Sequence, residues 1–136
     1  MIALFGGDFD QCLSRDFIEK ARENLSATET CFEKGLYNAC ANRAYFAAFQ
    51  AAVSALASQG IKRDRIDHKW VQAEFSGRLI KKRKIYPSRV KSHLADMQAV
   101  RNEADYEIQK VTGKVARKQL AGAREILTLV EKELEK

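Results

Sequence analysis

Apolar positions recur along most of this chain at three- and four-residue spacing, the period of a helix with one buried face. Phe17, Ala21, Leu25, Thr28 and Phe32 form the first such stripe and predict a helix over about Ser14–Glu33. Ser14 is expected to cap it, with Asp16 in the favourable first turn. Gly35 is placed to end it in the left-handed conformation. The second run, about Tyr37–Ser58, carries nine alanines between Ala39 and Ala57, with Tyr45, Phe46, Phe49, Val53 and Leu56. A helix apolar around most of its circumference belongs at the centre of a bundle, and small residues admit close neighbours. Gly60 closes it.

A third segment, about Asp67–Ile80, lines up His68, Val71, Phe75 and Leu79 behind Asp67 as its cap. Lys81-Lys82-Arg83-Lys84 breaks the apolar pattern. Pro87 and Ser88 open a fourth helix, about Ser88–Glu107, whose stripe of Val90, Leu94, Met97, Arg101 and Ala104 contains an arginine. After Thr112-Gly113, a fifth stripe runs through Val115, Ala116, Leu120, Ala123, Leu127, Val130 and Leu134, and its last turns are expected to fray. The alternation of a half-buried strand is absent. The prediction is therefore all-α: a compact bundle of about five helices, one domain over residues 1–136. Only two to four residues join the first two helices, so they are expected to form an antiparallel hairpin.

Composition agrees with this. Seven glycines and one proline in 136 residues leave little material for a turn-rich β fold. No stretch approaches the roughly 18 to 20 apolar residues of a membrane span, and no membrane partner is expected. Met1–Phe9 has too short an apolar run, and no basic start, for a signal peptide. Three cysteines, none in a Cys-x-x-Cys pair, fit a reducing compartment, so a cytoplasmic location is expected.

The net charge of +6 is unevenly spread. Ile61–Lys91 holds eleven basic and three acidic residues, or +8, and the remainder of the chain stands at −2. Lys81, Lys82, Arg83 and Lys84 could grip a phosphate backbone by charge while Tyr86 stacks on a base. The same run could equally be a solvated loop, or a dock for an acidic partner protein. Glycine-rich phosphate loops of the Walker or Rossmann kind are missing.

Two histidines, with cysteines at 12, 31 and 40, give no metal-ligand pattern, so neither metal nor cofactor is expected. Cys31 and Cys40 read as small buried residues. His68 begins a helix, where protonation opposes the dipole, and is expected to be neutral and hydrogen-bonded. A packing, a structural and a site role are all open to it; His93 reads as a surface or boundary residue. Arg101-Asn102-Glu103-Ala104-Asp105-Tyr106 is the most concentrated polar cluster on a helix stripe. Arg101 and Asp105 can pair along one face. Arg101 and Tyr106 stand about 140° apart around an ideal helix, so a joint site needs the helix to end or bend there. A buried ion pair explains the cluster structurally; an arginine held in a cleft suits a phosphate.

These residues carry a resemblance. Ala21-Arg22-Glu23-Asn24-Leu25, Glu33-Lys34-Gly35-Leu36-Tyr37-Asn38-Ala39 and Asn42-Arg43-Ala44-Tyr45-Phe46-Ala47-Ala48-Phe49-Gln50-Ala51-Ala52 resemble a HEPN domain. His68, Phe75, Arg101 and Ala104-Asp105-Tyr106 extend the likeness to about Asp16–Glu133. The resemblance implies a compact helical bundle, usually a homodimer, from prokaryotic conflict or toxin–antitoxin systems. Many members are metal-independent ribonucleases; others are thought to bind nucleotides or are encoded beside a small nucleotidyltransferase. The ribonuclease motif pairs an arginine and a polar residue with a histidine a few residues on. Arg101-Asn102 matches its start, but Tyr106, Glu107 and Ile108 occupy the histidine positions.

Cleavage by the ribose hydroxyl needs a group of near-neutral pKa to move the proton, and tyrosine titrates near 10. The leading expectation is thus a nucleotide- or nucleic-acid-binding protein with a nucleotidyltransferase partner, its ligand held by Arg101, Asp105, His68 and Lys81–Lys84. The alternatives are a divergent ribonuclease using Arg101, Asn102 and Tyr106, with His68 standing in for the missing histidine, and a protein-binding adaptor.

Overall fold

The structure is a computed structural model describing the backbone of residues 2–136 and the side chains of residues 9–136. Its helices are α1 (Ile2–Glu33), α2 (Tyr37–Ser58), α3 (His68–Glu74), α4 (His93–Tyr106) and α5 (Gly113–Leu134). A π-helical segment, Phe75–Lys82, continues α3, and a 3-10 turn, Ser88–Val90, precedes α4. The described residues contain no strand, so the chain is an all-α helical bundle.

Helix α2 is the axis on which the others pack. Ala44, Ala47, Ala48, Ala51, Ala52 and Ala55 are completely buried, and Tyr45 and Leu56 fill the space between them. Alanine at these positions lets three helices approach α2 from different sides without leaving voids. Antiparallel to α2, α1 forms the expected hairpin. Gly35, at φ 73°, ends α1, with the Leu36 amide bonded back to the Cys31 carbonyl at 2.8 Å. Helix α5 runs parallel to α2 and starts beside it. A Cβ on Gly113 would stand 3.1 Å from the Tyr37 ring, closer than side chains ordinarily pack, so glycine allows this approach without shifting the ring. Helix α4 runs the other way, ending where Asp105 meets Asn42. Arg22–Glu131 and Arg124–Glu29 pair α1 with α5.

Three local expectations need correction. Helix α1 starts well ahead of Ser14, which does not cap it. Ser14 is buried mid-helix instead, donating to the Ser54 carbonyl at 2.9 Å while the Ser54 hydroxyl donates to the Ser14 carbonyl at 2.6 Å. A hydroxyl that can bond its own helix end can equally bond a neighbouring helix, and the alanine face brings that neighbour within reach.

The third helix does begin at Asp67, whose carboxylate accepts from the Trp70 amide at 2.8 Å. Beyond Glu74, however, it widens into π-helical turns, so that Ile80 joins Phe75 and Leu79 on the buried side and Lys81 and Lys82 remain helical.

Tyr86 is no base-stacking residue. It is 4% exposed, its ring packs on Phe75 at 5.3 Å, and its amide, with that of Ile85, bonds the Leu79 carbonyl. Burial raises its pKa. No helix among the described residues is long and apolar enough to cross a membrane.

Candidate anion-binding site

Phe46 projects from the first half of α2 and is half-buried. The Arg101 guanidinium, reaching across from α4, lies 5.1 Å from the centre of its ring, and so does that of Arg43, one turn earlier on α2. Cations favour the negative face of an aromatic ring, so Phe46 gathers two charges that would otherwise repel.

The guanidiniums are held differently. Arg101 Nε stands 3.1 Å from Asp105 Oδ2, one turn on along α4. That nitrogen is buried and makes no hydrogen bond among the described residues, so the pair is a charge contact without hydrogen-bond alignment. Asp105 in turn accepts from Asn42 Nδ2 at 2.9 Å. Arg43 donates to the Asn42 side-chain oxygen through Nε at 2.9 Å and to Asn24 Oδ1 through Nη1 at 3.2 Å. Amide oxygens orient it without neutralising it. Two positive charges therefore meet one carboxylate here. Arg101 also reaches Asn102 Oδ1, at 3.5 Å.

His68 completes the cluster from α3. Its ring packs on Phe49 at 4.6 Å and on Phe46 at 6.1 Å, and its Nδ1 lies 2.6 Å from the Tyr45 hydroxyl. Gln72 Nε2 donates to that hydroxyl at 3.3 Å and to Gln98 Oε1 at 2.6 Å. With the tyrosine oxygen accepting from Gln72, the arrangement that also uses its hydroxyl proton donates it in a hydrogen bond to Nδ1, and the imidazole proton then sits on Nε2. Burial lowers the His68 pKa, the charge of Arg101 lowers it further, and Asp67 opposes both. Burial likewise raises that of Tyr45, against the Gln72 bond and Arg101. His68 is accordingly neutral, with an N–H to offer an anion and no free base nitrogen.

The structure brings Arg101, Asn102, Asp105 and His68 together and adds Arg43, Asn42 and Phe46. It does not bring Lys81–Lys84 to them. Arg83 reaches Gln59 at the far end of α2, thirteen residues past Phe46, or about 20 Å along the axis. Tyr106, the last residue of α4, is 76% exposed. The other histidine, His93, is engaged by Glu125 at 2.9 Å, and Arg89 shares that carboxylate and holds its pKa down. Cys40 is buried, which raises its thiol pKa to about 11. Among the described residues no group of three or more His, Cys, Asp or Glu could hold a metal ion.

Asn42 and Arg43 were the residues to find. They are the sole polar side chains between Asn38 and Gln50 apart from the Tyr45 hydroxyl and the Cys40 thiol, in a helix otherwise built to be buried.

No curated protein matches the chain. The family model described as HEPN domain matches residues 14–133, a span that includes the whole Arg43–Phe46–Arg101 cluster and all five helices except the start of α1 and the last residue of α5. The chain belongs to the HEPN domain family.

Proposed function

We propose that this chain binds a nucleotide or nucleic acid by its phosphate, at the cluster around Phe46. One observation carries the reading: two guanidiniums share one ring, but the Asp105 carboxylate pairs with Arg101 alone, leaving the charge of Arg43 with nothing to neutralise it among the described residues. Arg101 and Arg43 would take the phosphate oxygens, His68 Nε2–H would add a donor, and Asp105 would keep Arg101 in place. HEPN membership fits a nucleotide- or RNA-related role. A homodimer, a nucleotidyltransferase partner and a toxin–antitoxin or defence setting are further proposals that rest on membership alone.

The test is fluorescence anisotropy with a labelled RNA trimer. Binding should weaken with salt, and at least tenfold in Arg101→Ala and in Arg43→Ala. Equal affinity in both variants and the unaltered chain overturns the reading.

A second reading, metal-independent ribonuclease, has one observation in its favour: His68 stands beside Arg101 although the motif histidine is absent. Only its imidazolium form could protonate a leaving oxygen through Nε2, and the neutral form that the site favours has no free nitrogen to accept a proton from a ribose hydroxyl. Asn102 and Tyr106 would support Arg101 in that role. RNA cleavage in EDTA, lost in Arg101→Ala and in His68→Ala, would establish this reading; an inert purified protein removes it.

A further inference from the structure

The basic excess of Ile61–Lys91 is sorted by the fold. Lys62, Arg63, Arg78 and Arg89 are paired with Asp10, Asp67, Glu74 and Glu125. Lys81, Lys82, Arg83, Lys84 and Lys91 are exposed and meet no carboxylate among the described residues; the same holds for Arg65 and Lys69, which stand singly before and at the start of α3.

This turn is held in shape. The Arg83 amide bonds the Arg78 carbonyl, and those of Ile85 and Tyr86 bond that of Leu79, over a buried Tyr86. Lys84 sits at φ 54°, a backbone conformation that costs any residue with a Cβ. Lys81 lies close to Lys91, and its ammonium, as a hydrogen-bond donor to the neutral amine and by like charge, holds the Lys91 pKa below the usual lysine value. Crowded like charges on an ordered, strained turn are a cost that a polyanion would relieve. Among the described residues, the exposed large apolar side chains, Phe9, Leu36, Tyr106 and Ile108, belong to other segments. The turn therefore lacks the buried apolar anchor of a typical protein interface.

We propose that the Lys81–Lys84 turn, with Lys91, is a second contact for an RNA strand whose first contact is the Arg43–Phe46–Arg101 cluster. The ligand is then a polynucleotide and not a free nucleotide. This rests on the phosphate-binding reading of the Phe46 cluster. The two sites lie about 20 Å apart along α2, and a stacked strand rises about 3.4 Å per nucleotide along its axis, so some six nucleotides span the gap. Helix α3 and its π-helical continuation join the two along one side of α2, with His68 at one end and Lys81 and Lys82 at the other.

The experiment compares an RNA trimer, which cannot reach both sites, with a 12-mer of the same composition. The unaltered chain should bind the 12-mer at least tenfold more tightly. The quadruple variant Lys81→Gln, Lys82→Gln, Lys84→Gln, Lys91→Gln should abolish that preference and leave trimer affinity unchanged. It should also lower the slope of log affinity against log salt for the 12-mer by about 3, at roughly 0.7 for each phosphate that the strand no longer has neutralised. Length-independent binding, or a preference that survives in the quadruple variant, overturns the proposal. So does a polyglutamate peptide that binds the turn while the 12-mer does not depend on it, since the partner is then an acidic protein. Arg101→Ala should weaken trimer and 12-mer by the same factor. If the trimer is unaffected, the reading of the Phe46 cluster fails, while the quadruple variant still decides separately whether the turn holds RNA.

Discussion

Around Phe46, two arginines are half-buried, oriented by Asn24, Asn42 and Asp105, and laid on an aromatic ring that also touches His68. Around Lys84, five cations stand in solvent on a hydrogen-bonded turn, and none of them meets a carboxylate among the described residues. The first region places a few charges within hydrogen-bonding geometry, which favours recognition of one phosphate. The second spreads charge on long flexible stems, which favours contact with any polyanion and is more easily screened by salt. The two also differ in what they owe to the fold, since Phe46 belongs to the packing of α2 and the lysines belong to none.

Truncation at the two ends should therefore have unlike consequences. Phe46→Ala removes a half-buried ring and the platform under both guanidiniums. We expect it to cost about 2–3 kcal/mol, somewhat less than the 3–5 kcal/mol of a fully buried phenylalanine, and to abolish trimer binding. The quadruple lysine variant should remain within about 0.5 kcal/mol of the unaltered chain, as exposed substitutions generally do. Urea unfolding measures both. Equal losses would mean that the turn is part of the folding core.

Arg101→Lys separates the regions by chemistry. Lysine keeps the charge but loses the planar fork and stacks poorly on Phe46, so trimer affinity should still fall about tenfold or more, a change of the size of one charge-assisted hydrogen bond. At the turn, by contrast, exchanging Lys82 for arginine should shift 12-mer affinity less than twofold. Anisotropy titrations at fixed salt give both figures, and a turn as sensitive as the cluster would erase the distinction.

Much of this was legible in the sequence, and the gaps have physical causes. The alanine density of α2 announces a central helix because few environments other than a close-packed interior favour so many small side chains. Arg101 stood out as a charge on an apolar stripe. Arg43 and Asn42 left a similar signal, two polar residues inside the alanine run, but their partners lie on α1 and α4, and periodicity along one helix does not reveal a neighbour. Tyr86 misled because an aromatic among lysines looks like a stacking platform. The two amide bonds to the Leu79 carbonyl that fold it inward are invisible in side-chain identity. The π-helical turns were hidden for a related reason: Phe75 and Leu79 fit an α-helical stripe, and only Ile80, off that stripe yet buried, betrays the wider turn. Ser14 has the right chemistry for a cap, and its true partner lies 40 residues away.

Titration offers a finer comparison. His68 is held below the ordinary histidine value of about 6.5, by burial first and by Arg101 second. In the window between its folded pKa and 6.5 the unfolded chain binds more protons. Its contribution to stability is therefore complete above about pH 6.5 and is lost as pH falls through that window. The midpoint of thermal unfolding should fall between pH 7.5 and 5.5, above the range in which Glu125 titrates. Arg101→Gln should raise the His68 pKa toward 6.5 in an NMR titration and flatten the pH dependence. The quadruple lysine variant should leave the His68 pKa where it is. A shift on neutralising the turn would mean that the two regions feel one another's field across the molecule.

The smallest effect expected is at Lys84, where strain and charge can be pulled apart. Its φ of 54° costs a residue with a Cβ about 1–2 kcal/mol, and glycine escapes that cost but brings about 0.5–1 kcal/mol of extra unfolded-state entropy. Lys84→Gly should thus stabilise the fold by up to about 1.5 kcal/mol, raising the unfolding midpoint by a few degrees, and weaken 12-mer binding by removing one charge. Lys84→Asn tests the same balance with a side chain that tolerates the left-handed region better than lysine, so it should lie between the two in stability and match the glycine variant in affinity. If Lys84→Gly is instead destabilising, the lysine must have a stabilising role that outweighs its strain, and its conformation would no longer speak for a surface kept for binding.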